Sequence, residues 1–197
     1  ANYAFTDSDL VVAIGARFDD RVTGKLDRLA PKAKKIHIDI DPSCIGKSVP
    51  ADVPIVGDAK RVLTEMNKLV HRVDIEPWMG QITEWQEKYP FEYRQNGDKI
   101  MPQYVIEQIY DLYPDAMVTA DVGQHQMWAA QYFDFTEPRQ FINSGGLGTM
   151  GYSLPAAIGA QLGRPDKTIV NITGDGGFTM NIQELITAVT LKLPIKI

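Results

Sequence analysis

A single cysteine, Cys44, occurs among 197 residues, which excludes an internal disulfide framework and a cysteine-built zinc site and fits a reducing compartment. No apolar run approaches the roughly 20 residues that a membrane-spanning helix needs, so membrane insertion is not expected. Positive charge is also scarce: 20 Lys and Arg face 25 Asp and Glu, a formal net charge of -5. Nucleic-acid backbones are held by clustered cations, so no nucleic-acid partner is expected. The one dense basic stretch, Lys32, Lys34 and Lys35, reads as a solvated turn. The sequence lacks a G-x-G-x-x-G fingerprint, an internal repeat and any opening segment that reads as a signal or transit peptide, and it starts on Ala1. Its last residues, Leu193-Pro194-Ile195-Lys196-Ile197, read as the opening of a buried strand, so the chain is expected to be cut from a longer polypeptide at both ends.

What is present is ordinary globular material, 44% hydrophobic and 23% charged, long enough for one large or two modest cores. Leu10 to Gly15 (LVVAIG) and Lys35 to Ile40 (KIHIDI) read as strands, residues 24 to 31 as a short helix, and Gly57 to Val70 as a helix capped by Asp58. Residues 71 to 100 turn polar and aromatic, with Trp78, Trp85, Tyr89, Phe91 and Tyr93, and read as a connector with a helix near 77 to 89 and its aromatics used for packing. From Met101 a second series begins: a Pro102-started helix to about Tyr113, strand 116 to 120, helix 124 to 132, strand 140 to 143, helix 153 to 162, strand 168 to 173 and helix 181 to 191. Alternation of this kind predicts an α/β fold with two parallel-sheet, three-layer domains. The expected divisions are 1 to 75, a connector 76 to 100, and 101 to 197.

In the second series, Ile172-Thr-Gly-Asp-Gly-Gly-Phe-Thr-Met-Asn181 places Asp175 between glycines at a strand end, where α/β sheets bind ligands. One carboxylate there suits Mg2+, which takes a few protein oxygens and completes its shell with phosphate and water. Alone, Gly174-Asp175-Gly176 fits a capped turn as well. Two further strand-end segments, Asn143-Ser-Gly-Gly-Leu-Gly-Thr-Met-Gly151 and Asp121-Val-Gly-Gln-His-Gln126, point to the same sheet edge and favour an anion site of backbone amides and helix N-termini.

These segments resemble the diphosphate-binding domain of the thiamine-diphosphate enzymes. The resemblance narrows to the acetohydroxyacid synthase (acetolactate synthase) large-subunit family through Val122-Gly-Gln-His-Gln-Met-Trp-Ala-Ala-Gln131, Ser144-Gly-Gly-Leu-Gly-Thr-Met-Gly151 and Gly15-Ala-Arg-Phe-Asp-Asp-Arg-Val-Thr-Gly24. It runs along essentially the whole chain, and it implies that residues 1 to about 75 end a central FAD-binding domain while 101 to 197 begin the diphosphate domain.

By the resemblance, thiamine diphosphate is contacted by Val122, Gly123, Gln124, His125, Gly148, Thr149 and Met150, with Met150 wedging the cofactor into a bent shape. Asp175 holds Mg2+, and Gly176 and Gly177 adjoin the diphosphate. FAD lies against Gly15, Ala16, Arg17, Phe18, Asp19, Asp39, Ile40, Asp58 and Ala59, and Arg21 faces the substrate. Taken without the resemblance, Met150 fits core packing, His125 a hydrogen-bonded turn, and Arg21 a surface salt bridge to Asp19 or Asp20.

The implied reaction joins pyruvate to a second pyruvate or to 2-ketobutyrate with loss of CO2, giving acetohydroxy acids for branched-chain amino acids. The implied assembly is a homodimer or tetramer with a regulatory small subunit, in bacterial cytoplasm or plastid stroma. The family's catalytic glutamate and the asparagine that completes its metal motif have no counterpart in this sequence, so these residues alone are expected to be inactive. The alternatives are another FAD-containing relative, of the pyruvate oxidase or glyoxylate carboligase type, and a non-catalytic cofactor-binding module.

Overall fold

The computed structural model describes residues 2–95 and 97–197; Ala1 of the first expected division and Asn96 of the expected connector lie outside the described residues. The chain separates after Phe91 into two compact units, each an α/β layer built on a three-stranded parallel sheet.

The first unit runs α1 (Asn2–Asp7), β1 (Leu10–Ile14), α2 (Asp20–Thr23), a 3-10 turn (Leu26–Arg28), β2 (Lys34–Asp39), β3 (Val53–Val56), α3 (Ala59–Met66) and α4 (Glu76–Lys88), with strands ordered β1-β2-β3. Central β2 carries the most buried residues, Ile38 and His37, and a small core of Ala13, Phe18, Leu29 and Val49 packs with Phe5. Asp58 caps α3 as its sequence indicates, accepting the Arg61 N–H at 3.0 Å.

Two sequence readings are corrected in this unit. No strand is expected from the sequence between Ile40 and Gly57, where Pro54 argues against one, yet β3 lies there; it is an edge strand, where a missing N–H costs no ladder bond. The short helix expected at 24 to 31 is replaced by α2, capped by Asp19, and the 3-10 turn, because Gly24 sits at φ 53 and stops α2. The aromatics of α4 pack within this unit: Trp78 meets Trp85 edge-on, and Tyr3 stacks on Tyr89 at 5.0 Å.

The second unit contains α5 (Pro102–Leu112), β4 (Met117–Ala120), α6 (Gln124–Tyr132), β5 (Phe141–Asn143), α7 (Ser153–Gly163), β6 (Ile169–Ile172), α8 (Asp175–Met180), a 3-10 turn (Ile182–Glu184) and α9 (Leu185–Thr190). The strand order is β5-β4-β6, with Ala120 level with Asn143 and Ile172. Its core gathers Ile106, Val118, Ala129, Phe133 and Val170, with Phe133, Phe135 and Phe141 stacked in series. Lys196 pairs with the free edge of β6, its N–H donating to Ile169 O at 3.0 Å and its carbonyl accepting from Asn171 N at 2.7 Å.

Here too the sequence reading is revised. A turn and one helix at 181 to 191 were expected after β6; the chain instead forms α8 at once and breaks at Asn181, whose φ of -129° is not helical. The break follows from Asn181 turning its amide to Gly151 O, 2.7 Å away.

Leu154 is 1% exposed, and Leu154→Ala is expected to cost about 2–5 kcal/mol in urea denaturation. The same change at Leu147, which is 94% exposed, should move stability by less than about 0.5 kcal/mol. The Tyr93 hydroxyl donates to the Glu107 carboxylate, and that bond, then burial and the carboxylate's charge, push its pKa up to about 12. A raised pKa means that the bond's stabilisation is complete below the ordinary tyrosine value near 10 and fades as pH rises through about 12. Phenolate absorbance of the wild type should therefore contain a late component that is reduced in Tyr93→Phe, the remainder coming from Tyr3 and Tyr132, which are also raised by the neighbouring Tyr89 and by burial respectively.

Candidate functional site

Because β5, β4 and β6 are parallel and level, their carboxyl ends open at one edge, and the chain leaves each strand through a glycine-bearing segment. Asp121 lies at the centre of that edge with 0% exposure. One carboxylate oxygen, Oδ2, accepts the Gly151 N–H at 2.9 Å. The other, Oδ1, accepts the Gly174 N–H at 3.4 Å and lies 2.7 Å from His125 Nε2.

Glycine is required around this carboxylate by space. A β-carbon on Gly177 would stand 1.6 Å from Asp121 Oδ2, and β-carbons on Gly123 and Gly174 would stand 2.6 and 2.9 Å from the His125 ring. The imidazole therefore occupies a slot between two bare backbones.

The residues singled out in the second unit come together here. Val122 lies beside Gly148, the distance from its Cγ2 to a β-carbon position there being 3.7 Å, and Met150 Cε lies 2.9 Å from the same position on Gly176. The loop between them is closed by Gly148 N–H donating to Ser144 O and Thr149 N–H donating to Ser144 Oγ, each at 3.0 Å. Gly148 and Gly151 take the left-handed backbone, φ 70° and 80°, that this turn requires.

Gln124 opens α6, whose N-cap Gly123 offers no capping side chain, so the first amides of that helix receive no side-chain cap. Asp175 opens α8 as an exposed residue; its Oδ1 accepts Gly176 N–H at 2.8 Å, and Oδ2 has no partner among the described residues. No group of three or more His, Cys, Asp and Glu side chains capable of holding a metal occurs among the described residues. A cation at this edge would rely on Asp175, backbone oxygens and a ligand's own oxygens, which is the coordination habit of Mg2+ beside phosphates.

Asp121 itself, Gly151 and Asn181 were not singled out as site residues from the sequence. A signal was there for Asp121: an acid directly after the apolar strand Val118-Thr119-Ala120, followed by glycine two residues on.

In the first unit, the carboxyl ends of β1, β2 and β3 also meet at one edge. Gly15, at φ 62°, donates its N–H to Ile38 O at 2.9 Å, and Gly57 N–H donates to Asp39 O at the same distance. The buried His37 bonds Ala16 O through Nε2 at 2.7 Å and meets the edge of Phe18, fixing the 15–19 loop over a cleft of about 400 Å3. Ala59 begins α3, Ile40 is 72% exposed, and Asp39 and Asp58 each use one oxygen on a local backbone N–H.

Arg21 is exposed and lines a second cleft with Lys25 and Arg28. The salt bridge considered for it is made by another residue: Arg17 pairs with Asp19 at 3.0 Å. Asp19 is already held as the cap of α2, which fixes it beside Arg17.

Residues 121–197 match the family described as thiamine pyrophosphate enzyme, C-terminal TPP binding domain, and residues 1–66 match the central domain of the same enzymes. The chain belongs to the thiamine pyrophosphate enzyme family. Within it, the chain is 48% identical, over 99% of its length, to the acetolactate synthase isozyme 3 large subunit of Escherichia coli K12, and covers 35% of that protein. Acetolactate synthase 1, chloroplastic, of Nicotiana tabacum is also 48% identical over 100% of the chain, which covers 31% of it. For the acetolactate synthase large subunit of Haemophilus influenzae the identity is 48% over 100% of the chain and 36% of the relative. The chain thus spans about a third of the length of the curated relatives it matches.

Crowding at the Asp121 carboxylate sets a test. Gly177→Ala must displace a buried, hydrogen-bonded group and is expected to cost about 1–3 kcal/mol or more. Gly159→Ala, in α7 with nothing within 4 Å of the added carbon, should be neutral or stabilising by up to about 1 kcal/mol. Thermal denaturation of the two variants makes the comparison.

Proposed function

We propose that this chain supplies the later part of the central domain and the first part of the cofactor domain of an acetolactate synthase large subunit. The observation that carries the reading is identity of 46–49% to synthases from bacteria and plastids, sustained across both units. The synthase would decarboxylate pyruvate and join the two-carbon product to pyruvate or 2-ketobutyrate, giving the acetohydroxy acids from which branched-chain amino acids are made.

In this reading, Val122, Gly123, Gln124, His125, Gly148, Thr149, Met150, Gly176 and Gly177 hold thiamine diphosphate, and Asp175 holds Mg2+ against its diphosphate. The fit is supported by glycine backbones at 123, 174 and 177 where side chains have no room, by the uncapped start of α6 and by the Asp175 oxygen that has no partner among the described residues. Bound there, the cofactor supplies an electron sink for the carbanion left by decarboxylation. The protein's share is to fix the diphosphate end and, through Met150 lying over Gly176, to support the cofactor's middle.

FAD would lie along Gly15, Ala16, Arg17, Phe18, Asp19, Asp39, Ile40, Asp58 and Ala59. Arg21, with no ion-pair partner among the described residues, would meet the carboxylate of the 2-keto acid. The assembly would be a homodimer or tetramer with a regulatory small subunit, in bacterial cytoplasm or plastid stroma.

The test uses the complete synthase polypeptide. Incubation with pyruvate, thiamine diphosphate, Mg2+ and FAD is expected to yield acetolactate, read as acetoin colour, without stoichiometric peroxide; peroxide in its place would identify an oxidase. Asp175→Ala is expected to weaken Mg2+ activation by at least roughly 10–100-fold, measured as the Mg2+ concentration for half-maximal rate. The isolated 197-residue chain is expected to form no acetolactate.

A further inference from the structure

At 0% exposure, the Asp121 side chain cannot reach a ligand at the sheet edge. Yet its three polar partners belong to three different segments: Gly151 N–H from the loop after β5, Gly174 N–H from the turn after β6, and His125 Nε2 from the first turn of α6. None of these bonds is part of a strand ladder or a helix, so the carboxylate is what joins the three segments to one another, although Gly151 O is also held by Asn181 Nδ2 and Gly174 O by the Phe178 N–H. His125 is itself among the proposed ligand contacts, and the two glycines are one residue from others. Gly151 directly follows Met150, and Gly174 directly precedes Asp175.

We propose that Asp121 is a positioning residue: it sets the spacing between the 148–150 loop and the 175–177 turn, and commits Nε2 of His125 as a donor so that Nδ1 is the nitrogen left for other contacts. The proposal rests on the reading of this edge as the thiamine-diphosphate site. A carboxylate suits the task because it is acceptor-only on both oxygens, and all three partners are donors in this arrangement. An asparagine has the same shape but one accepting end. Its amide group must face either Gly151 N–H or the Gly174 and His125 pair, donor against donor, and one loop is released. A glutamate would drive its longer chain into Gly177, whose β-carbon position is already 1.6 Å from the carboxylate.

The test compares wild type and Asp121→Asn in the complete synthase. Calorimetry with thiamine diphosphate and Mg2+ is expected to show a dissociation constant raised at least tenfold in the variant, with kcat at saturating cofactor within about threefold of wild type, because Asp121 touches no reacting atom. A purely structural role would lower the folded fraction and leave the dissociation constant of the folded molecules where it was. If the wild type binds and the variant binds equally well, the positioning role is overturned while the site reading stands. If the wild type binds no thiamine diphosphate, the site reading fails and takes the proposal with it. Should the variant not fold, hydrogen exchange in the cofactor-free wild type decides: the Gly151 amide is expected to exchange far more slowly than that of exposed Leu147, and equal rates would overturn the anchoring.

Discussion

A carboxylate buried in an α/β core has to be surrounded by donors, because an unpaired charge in an apolar interior costs several kcal/mol. In the second unit that requirement is met by Asp121, and much of the local architecture answers to it. The loop after β5 must come back far enough to present the Gly151 amide. The turn after β6 must present that of Gly174, and α6 must start where His125 can reach. Glycine at 123, 174 and 177 is the steric counterpart of the same requirement. The break at Asn181 belongs to it as well, since its amide clamps the carbonyl of the glycine whose N–H meets Asp121.

The first unit solves a similar problem with a different group. Its loop after β1 is held by an imidazole, His37, reaching from the middle strand to Ala16 O, and Asp19, Asp39, Asp41 and Asp58 are used as local caps and turn acceptors. Both units therefore place permissive backbone at the carboxyl ends of parallel strands and tie it down from beneath with a buried polar side chain. That is where open α/β sheets receive ligands, and it explains how one fold type serves twice in a chain of this family.

Much of this was legible in the sequence, because hydrophobic period and punctuation are local properties. The helix 124 to 132 and the strands around LVVAI and KIHID carry their own signals, and so do the three glycine-bearing segments. What escaped was set by partners distant in the chain. Val53-Pro54-Ile55-Val56 is a strand only because β2 lies beside it on one side and nothing is needed on the other. Asn181 breaks a helical pattern for the sake of a carbonyl 30 residues earlier. Asp121 reads as one more acid after a strand until its donors are seen. The thiamine-diphosphate reading came through resemblance alone, and so did the proposal of a flavin in the first unit, where no fingerprint announces one.

The sequence separations around Asp121 carry a consequence for how the chain reaches this structure. Its amide donors lie 30 and 53 residues further on, so β4 and α6 by themselves do not satisfy the carboxylate. Loop closure over such distances is entropically slow to offset, and a compact state that enclosed β4 before β6 had docked would trap the carboxylate without partners. Such misassembled states are penalised in proportion to how well they exclude water. A closed interior around Asp121 therefore requires the segments after both later strands to be in place beside the first.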